Sequence, residues 1–254
     1  METFYSGHSN FSRFTSYYCH RIDSDWRFKP HIRRNQKLFS TGELIDGLSV
    51  IDQYMNLDLM AAYRCALTKA QAKEAITVET LIEVASLVMR NTGSVYHTAL
   101  GTFSSTKGDL RRFNVTAGID GHSYMSFTKV PLKLAQFCEN LNQWRKTLNT
   151  LSVKERYDLS FDVHYHLVTI HPWADGNERM ARLLMHWLQC EAEIDPIILR
   201  ERDQDEYVKR CRKQERWKTW GFSESLWEKY LTSELVKKGM TIKPSLFVST
   251  SMRN

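Results

Sequence analysis

His171-Pro172-Trp173-Ala174-Asp175-Gly176-Asn177-Glu178-Arg179-Met180-Ala181-Arg182 is the stretch on which the reading of this chain turns. It is a dense polar run between two strongly apolar segments, and a helical pattern follows it directly. An imidazole, a carboxylate, a Gly-Asn turn and two guanidiniums stand within one short loop and the helix start after it. The start of a helix presents unpaired amides and a positive dipole end to an anion. Guanidinium forks bind phosphate, and a histidine whose ordinary pKa is about 6.5 accepts a proton from a hydroxyl at neutral pH. The inventory is that of a phosphate site with a base beside it.

Each residue also has a plainer reading. His171 ends a helical stripe, and a lone histidine there is a polar terminus about twice as often as a base. Asp175 suits Mg²⁺, a hard cation that takes one or two protein carboxylates, but an isolated Asp before an apolar run is ordinarily an N-cap. Arg179 and Arg182 fall, at about 100° per residue, on the side of the helix opposite Met180, Leu183, Leu184, Trp187 and Leu188, where such a pair is usually a solvated face. Their coincidence in one stretch is what the plain readings do not explain.

Working outward, Ser152-x-x-Glu155 is a capping box for the helix that ends at Pro172, with Tyr157, Phe161, His164, Val168 and His171 as its stripe. Pro131 opens an earlier helix with Leu134, Phe137, Cys138 and Leu141 toward the core. Before it, Phe113, Val115, Ala117 and Ile119 alternate with polar residues up to Asp120-Gly121, a tight-turn pair, and Tyr124 and Phe127 follow. This hairpin is marginal alone and must lie against helices or offer its edge to something. A helix capped by Thr77, with Glu79 in its first turn and Leu81, Ile82, Ala85, Val88 and Met89 inward, should stop by Asn91-Thr92-Gly93. Leu48, Ile51, Met55, Leu59, Met60, Tyr63 and Leu67 form a further stripe after the Ser40–Gly47 turn. Residues 1–30 are aromatic and Ser-rich without a period, and about 196–238 alternate charges over surface helices ahead of a tail.

Composition bounds the rest. A hydrophobic share of 42% supports a substantial core, and the low Gly (11) and Pro (5) counts lean toward a mostly helical protein. No apolar run is long enough for a membrane span or a secretion signal. The five cysteines are odd in number and widely spaced, as expected for reduced thiols in a cytoplasm. The net charge of +6 suits a phosphate-bearing partner, but acids interleave with the bases, which disfavours nucleic acid. Nothing here decides oligomerisation.

The stretch resembles the Fic signature: His-Pro-Phe, any residue, Asp or Glu, Gly-Asn, Gly or Lys, Arg, two free positions and Arg. His171, Pro172, Asp175, Gly176, Asn177, Arg179 and Arg182 match, and Trp173 replaces Phe. The resemblance extends over roughly 75–210, through the Gly108–Arg111 approach, the Asn114-Val115 hairpin, Pro131 and His164. It implies a mostly α Fic fold, a helical bundle with a β-hairpin flap. Residues 1–74 would then be an N-terminal extension with a candidate inhibitory helix, 75–210 the core, and 211–254 C-terminal helices and a tail. It further implies transfer of AMP from Mg-ATP to a Ser, Thr or Tyr hydroxyl of a target protein. By position His171 would be the general base and Asp175 the Mg²⁺ ligand. Gly176, Asn177 and position 178 would border the anion hole, with Arg179 on the β-phosphate and Arg182 toward the γ-phosphate. Arg111, Asn114 and Val115 would belong to a flap that pairs with an extended target segment.

The chain departs from the pattern in two places. Glu178 stands where the family has Gly or Lys, a carboxylate comfortable in a first helical turn but repelled by a bound triphosphate. This leaves open another phosphate-linked donor, removal of AMP, or a non-catalytic nucleotide-sensing or protein-binding module. Gly42-Glu43-Leu44-Ile45-Asp46-Gly47 resembles the family's inhibitory helix with Gly for Ser or Thr and Asp for Glu, and the expectation is that Asp46 reaches Arg182. A metal hydrolase built on His164, His166, His171 and Asp175 is disfavoured, because His166 and His171 point about 140° apart on one helix.

Overall fold

The computed structural model describes residues 38, 41–117 and 122–197. The N-terminal aromatic segment, the Asp120-Gly121 turn and the charged helices expected beyond residue 197 lie outside them. The described residues belong to the first of two compact units, residues 1–204. Their architecture is mostly α: α1 (Val50–Gln71), α2 (Val78–Val88), α3 (Val130–Arg145), α4 (Val153–Ile170) and α5 (Asn177–Glu191), with two small hairpins between α2 and α3.

Local signals place most helix ends. Thr77 caps α2, its hydroxyl accepting from Thr80 N at 3.2 Å, and the chain turns where Gly93 N bonds Met89 O at 2.9 Å. The capping box of α4 forms in both directions between Ser152 and Glu155. Pro131 sits in the first turn of α3, whose buried residues include Leu134, Phe137, Cys138 and Leu141. Two faces differ from expectation. In α2 Val84 is buried while Ile82 is only half-buried, and in α1 the stripe is buried from Leu59 onward while Ile51 is 65% exposed.

The centre of the fold is α5, packed chiefly on α4 and α1. From Asn177 to Gln189 every residue except Glu178 is buried, so the side expected to be solvated is an interior face. Hydrogen bonds hold its buried His186 and Gln189, as burial requires. His186 Nδ1 accepts from Tyr63 Oη at 2.7 Å and its Nε2 donates to Ile197 O at 2.9 Å. Gln189 donates to Ser160 Oγ at 3.0 Å and accepts from Ile197 N at 3.0 Å. Because α1 packs into this body, residue 74 is no boundary between compact parts.

At the far end, Arg145 joins α3 to α5 through both carboxylate oxygens of Glu191, which also accepts from Trp187 Nε1 at 2.7 Å. Asn142 holds the α1–α2 connection through the backbone of Ile76 at 3.0 and 2.8 Å.

The expected hairpin is present but short: β3 (Thr116–Ala117) pairs antiparallel with β4 (His122–Ser123). A second hairpin, unforeseen in the sequence, precedes it: β1 (Val95–Thr98) pairs with β2 (Gly101–Ser104). Tyr96 stacks on Phe103 at 4.9 Å between centroids, and Phe113 leans on both. Gly108 follows at φ +71°, pressed so close to α2 that a Cβ would lie 2.1 Å from Ile82 O. Among the described residues no helix is long and apolar enough to cross a membrane.

Gly108→Ala combines positive-φ strain with a backbone clash, and is expected to cost about 2–4 kcal/mol. Urea unfolding followed by far-UV circular dichroism checks it, with an unchanged midpoint contradicting the close approach.

Candidate active site

The loop 171–176 joins the carbonyl end of α4 to the amide end of α5. Pro172 disfavours helical geometry at the residue before it, and His171 leaves α4 as a left-handed C-cap, φ +51°, its N–H bonded to Leu167 O at 3.0 Å. Gly176 then caps α5 at φ +79°, where a Cβ would meet Met89 Sδ at 2.9 Å. Any side chain would be strained twice over. The N-cap position, the plainer reading of Asp175, therefore falls to Gly176.

Trp173 is buried and plugs the loop into the core, its indole N–H donating to Gly108 O at 3.0 Å. A phenylalanine could not make that bond. Asn177 reaches back to the same residue, accepting from Trp173 N at 3.0 Å and donating to Trp173 O at 2.8 Å. Its side chain locks the loop, and what it offers an anion is its place in the first turn of α5.

His171 Nδ1 lies 3.3 Å from Val168 O. A carbonyl only accepts, so Nδ1 carries the hydrogen and Nε2 presents its lone pair. Burial pushes the imidazole down to about 4, with the Arg111 cation adding to it, against the raising influence of the Val168 bond and Asp175. The ring is therefore neutral at pH 7, the form a general base needs. The ring of Tyr124 stacks on it at 3.7 Å between centroids and 17° between planes.

Asp175 holds Gly176 N at 2.6 Å through one oxygen, while the other lies 3.7 Å from Arg179 Nη2. Its side chain is 59% exposed, and a reachable carboxylate is a chemical fit for a hard cation such as Mg²⁺. Arg179 is buried and turns toward the end of α2, donating to Val88 O at 3.3 Å and to Met89 Sδ at 3.0 Å. Arg182 is also buried, with Nη1 3.7 Å from Glu178 Oε2. The half-turned Glu178 thus rests on the second arginine of the stretch.

Asp46 stands in an exposed turn just before α1 and makes no ion pair among the described residues. The segment 42–49 is not helical. Gln53 fastens it through Ile45 N at 2.6 Å and Ile45 O at 3.0 Å. The structure does not bring Asp46 to Arg182. Nor does it assemble a histidine cluster: His164 is buried, held well below its ordinary pKa by burial and by Arg182 and His186, whereas His166 is exposed beside Trp144.

The residues expected in a flap act as fasteners. Arg111 is fully buried, donating from Nε to His171 O at 2.7 Å, from Nη1 to Phe113 O at 2.8 Å and from Nη2 to Met125 O. Its own N–H bonds Pro172 O at 3.0 Å. Asn114 Oδ1 accepts from Phe127 N at 3.0 Å, and Val115 O accepts from Tyr124 N at 3.1 Å. Sequence reasoning placed Tyr124 only on the hairpin. Its contact with His171 has no local signal, since the two are distant in sequence.

Residues 75–189 match a family model described as the Fic/DOC family. Among curated proteins, the chain is 29% identical over 174 residues to a protein adenylyltransferase Fic of Nematostella vectensis, covering 67% of this chain and 36% of that one. It is 25% identical over 178 residues to the protein adenylyltransferase fic-1 of Caenorhabditis elegans, covering 68% and 31%. The chain thus spans about a third of the length of these relatives. Among solved structures, a Fic-domain-containing signalling protein of Bacteroides thetaiotaomicron superposes with a TM-score of 0.68 at 17% identity, over 93% of this chain and 92% of that one. Fic-1 of C. elegans (residues 134–508) follows at 0.60 and 19%, over 83% and 59%. Both likenesses are of fold.

Arg111→Lys keeps the charge but loses the fork that reaches three carbonyls, at an expected cost of about 1–3 kcal/mol. Hydrogen–deuterium exchange should quicken across 113–125 while α3 keeps its protection. Equal exchange in both proteins would show that Arg111 does not fasten the flap.

Proposed function

We propose that this chain, whose residues 75–189 match the Fic/DOC family model, is a protein adenylyltransferase moving AMP from Mg-ATP to a Ser, Thr or Tyr hydroxyl of a target protein. The observation that carries the reading is the pairing of a neutral His171, its Nε2 lone pair available, with the amide end of α5 across one six-residue loop. A base and an anion seat are the minimum for attack on a phosphorus centre.

In this reading the α-phosphate of ATP rests against the first turn of α5. The target hydroxyl oxygen attacks the α-phosphorus as its proton passes to His171 Nε2. The bond to the β-phosphate bridging oxygen breaks, releasing pyrophosphate and leaving AMP on the target. Asp175 would hold a magnesium ion, whose charge would offset that of the phosphates. The edge of the β3–β4 hairpin aligns an extended target segment by adding a strand.

The Glu178–Arg182 pair supports a second reading of the donor. A terminal phosphate has to displace the Glu178 carboxylate from Arg182, so a phosphate-linked donor without a γ-phosphate meets less repulsion.

Incubation of the protein and candidate targets with ATP labelled at the α-phosphate tests the main reading. Label should become covalently attached to protein with the native chain and not with His171→Ala. The acid limb of kcat/KM should lie near pH 4, because His171 stays neutral above its lowered pKa of about 4. Label from no nucleotide donor, or equal label with His171→Ala, would sink it. Glu178→Gly removes the competing carboxylate and is expected to tighten ATP binding about tenfold. Calorimetric titration checks that figure, with weaker or equal binding counting against the competition.

A further inference from the structure

Taking His171 as the base of the proposed reaction, we infer that Tyr124 is its positioning residue, the wall against which the flap holds the imidazole plane. His171 projects from the end of α4 in a left-handed conformation, and its ring meets the last turn of that helix at Val168 O. The Nδ1 bond to Val168 O fixes one edge and leaves the plane free to tilt about it. Tyr124 covers the face, with centroids 3.7 Å apart and planes 17° from parallel. Aromatic surfaces in such contact resist tilting because every degree of rotation loses dispersion contact on one side.

Tyr124 is carried on the flap, not on the helices. Its N–H closes the β3–β4 ladder at Val115 O, 3.1 Å away. Arg111 ties the same flap, through Phe113 O and Met125 O, to the backbone carbonyl of His171. The flap therefore holds the base twice, by its backbone and by its ring. The stack has a chemical consequence as well. On taking the hydroxyl proton at Nε2 the ring becomes a cation, and the electron-rich face of Tyr124 stabilises that cation. Among the described residues, the other charged groups acting on His171 are Arg111, which disfavours the cation, and Asp175, which favours it.

The test compares Tyr124→Phe with Tyr124→Leu in the full chain. Transfer kinetics are measured, and His171 is labelled with diethyl pyrocarbonate and read by peptide mass spectrometry. Exposed His97 is the internal control and a melting curve the check on folding. The leucine variant should lose about tenfold in kcat at unchanged donor KM. It should also label several-fold faster at His171 alone, while the phenylalanine variant behaves as the native chain. Tyr124→Met makes the same comparison should the leucine variant melt early. Native labelling of His171 and native kcat in both aliphatic variants would overturn the role. Because labelling needs no turnover, a protein that transfers from no donor would disprove the adenylyltransferase reading and still decide the place of Tyr124.

Discussion

The site depends on one geometric constraint: α4 and α5 are joined by six residues, 171–176, that must bring a carbonyl end and an amide end side by side. Such ends carry opposite partial charges and attract, but a chain can only turn so sharply by leaving ordinary backbone geometry. It does so twice, at His171 (φ +51°) and at Gly176 (φ +79°). Buried contacts from elsewhere hold that strain. Trp173 drives the loop into the core, Asn177 brackets it, and the Arg111 guanidinium sits on the carbonyl of His171, where a cation suits the negative helix end. The chemistry of the loop follows from its shape. The His171 imidazole, the Asp175 carboxylate and the amide end of α5 are neighbours because the turn leaves them no room to be anything else.

Charge in the stretch is arranged as two helical pairs. Asp175 stands one turn before Arg179, and Glu178 one turn before Arg182, each at 3.7 Å. The two arginines are buried and the two acids partly open, so the acids are the mobile members and the arginines the fixed ones. In the proposed function, anion recognition at these arginines would be an exchange of partners rather than the filling of a bare positive pocket. Its strength depends on how readily each carboxylate gives way.

What was readable in the sequence was what short-range chemistry decides. The Thr77 cap, the Ser152–Glu155 box and Pro131 in a first turn each involve atoms a few residues apart, and each formed as expected. The signature stretch stood out as a candidate site because its residue types are unusual together. The first hairpin escaped notice because its turn is Ala99-Leu100, with none of the Asn-Gly chemistry that marks such turns. A helical wheel set Arg179 and Arg182 opposite the apolar face, but whether that side meets water depends on α1 arriving from elsewhere. Asp46 shows the same limit from the other direction. Its spacing suggested a reach to Arg182, and the Gln53 latch holds its segment as a turn instead.

The hydrogen-bonded relay from Tyr63 through His186 to Ile197 crosses both edges of the region that sequence similarity marks out. Its phenol comes from α1, before residue 75, and its carbonyl from beyond residue 189. A fragment trimmed to the matched residues would keep the imidazole and lose the groups that satisfy each of its nitrogens, along with the wall of α1 that keeps one side of α5 dry. The smallest piece of this chain that can hold its own shape is therefore larger than the piece its relatives share by sequence.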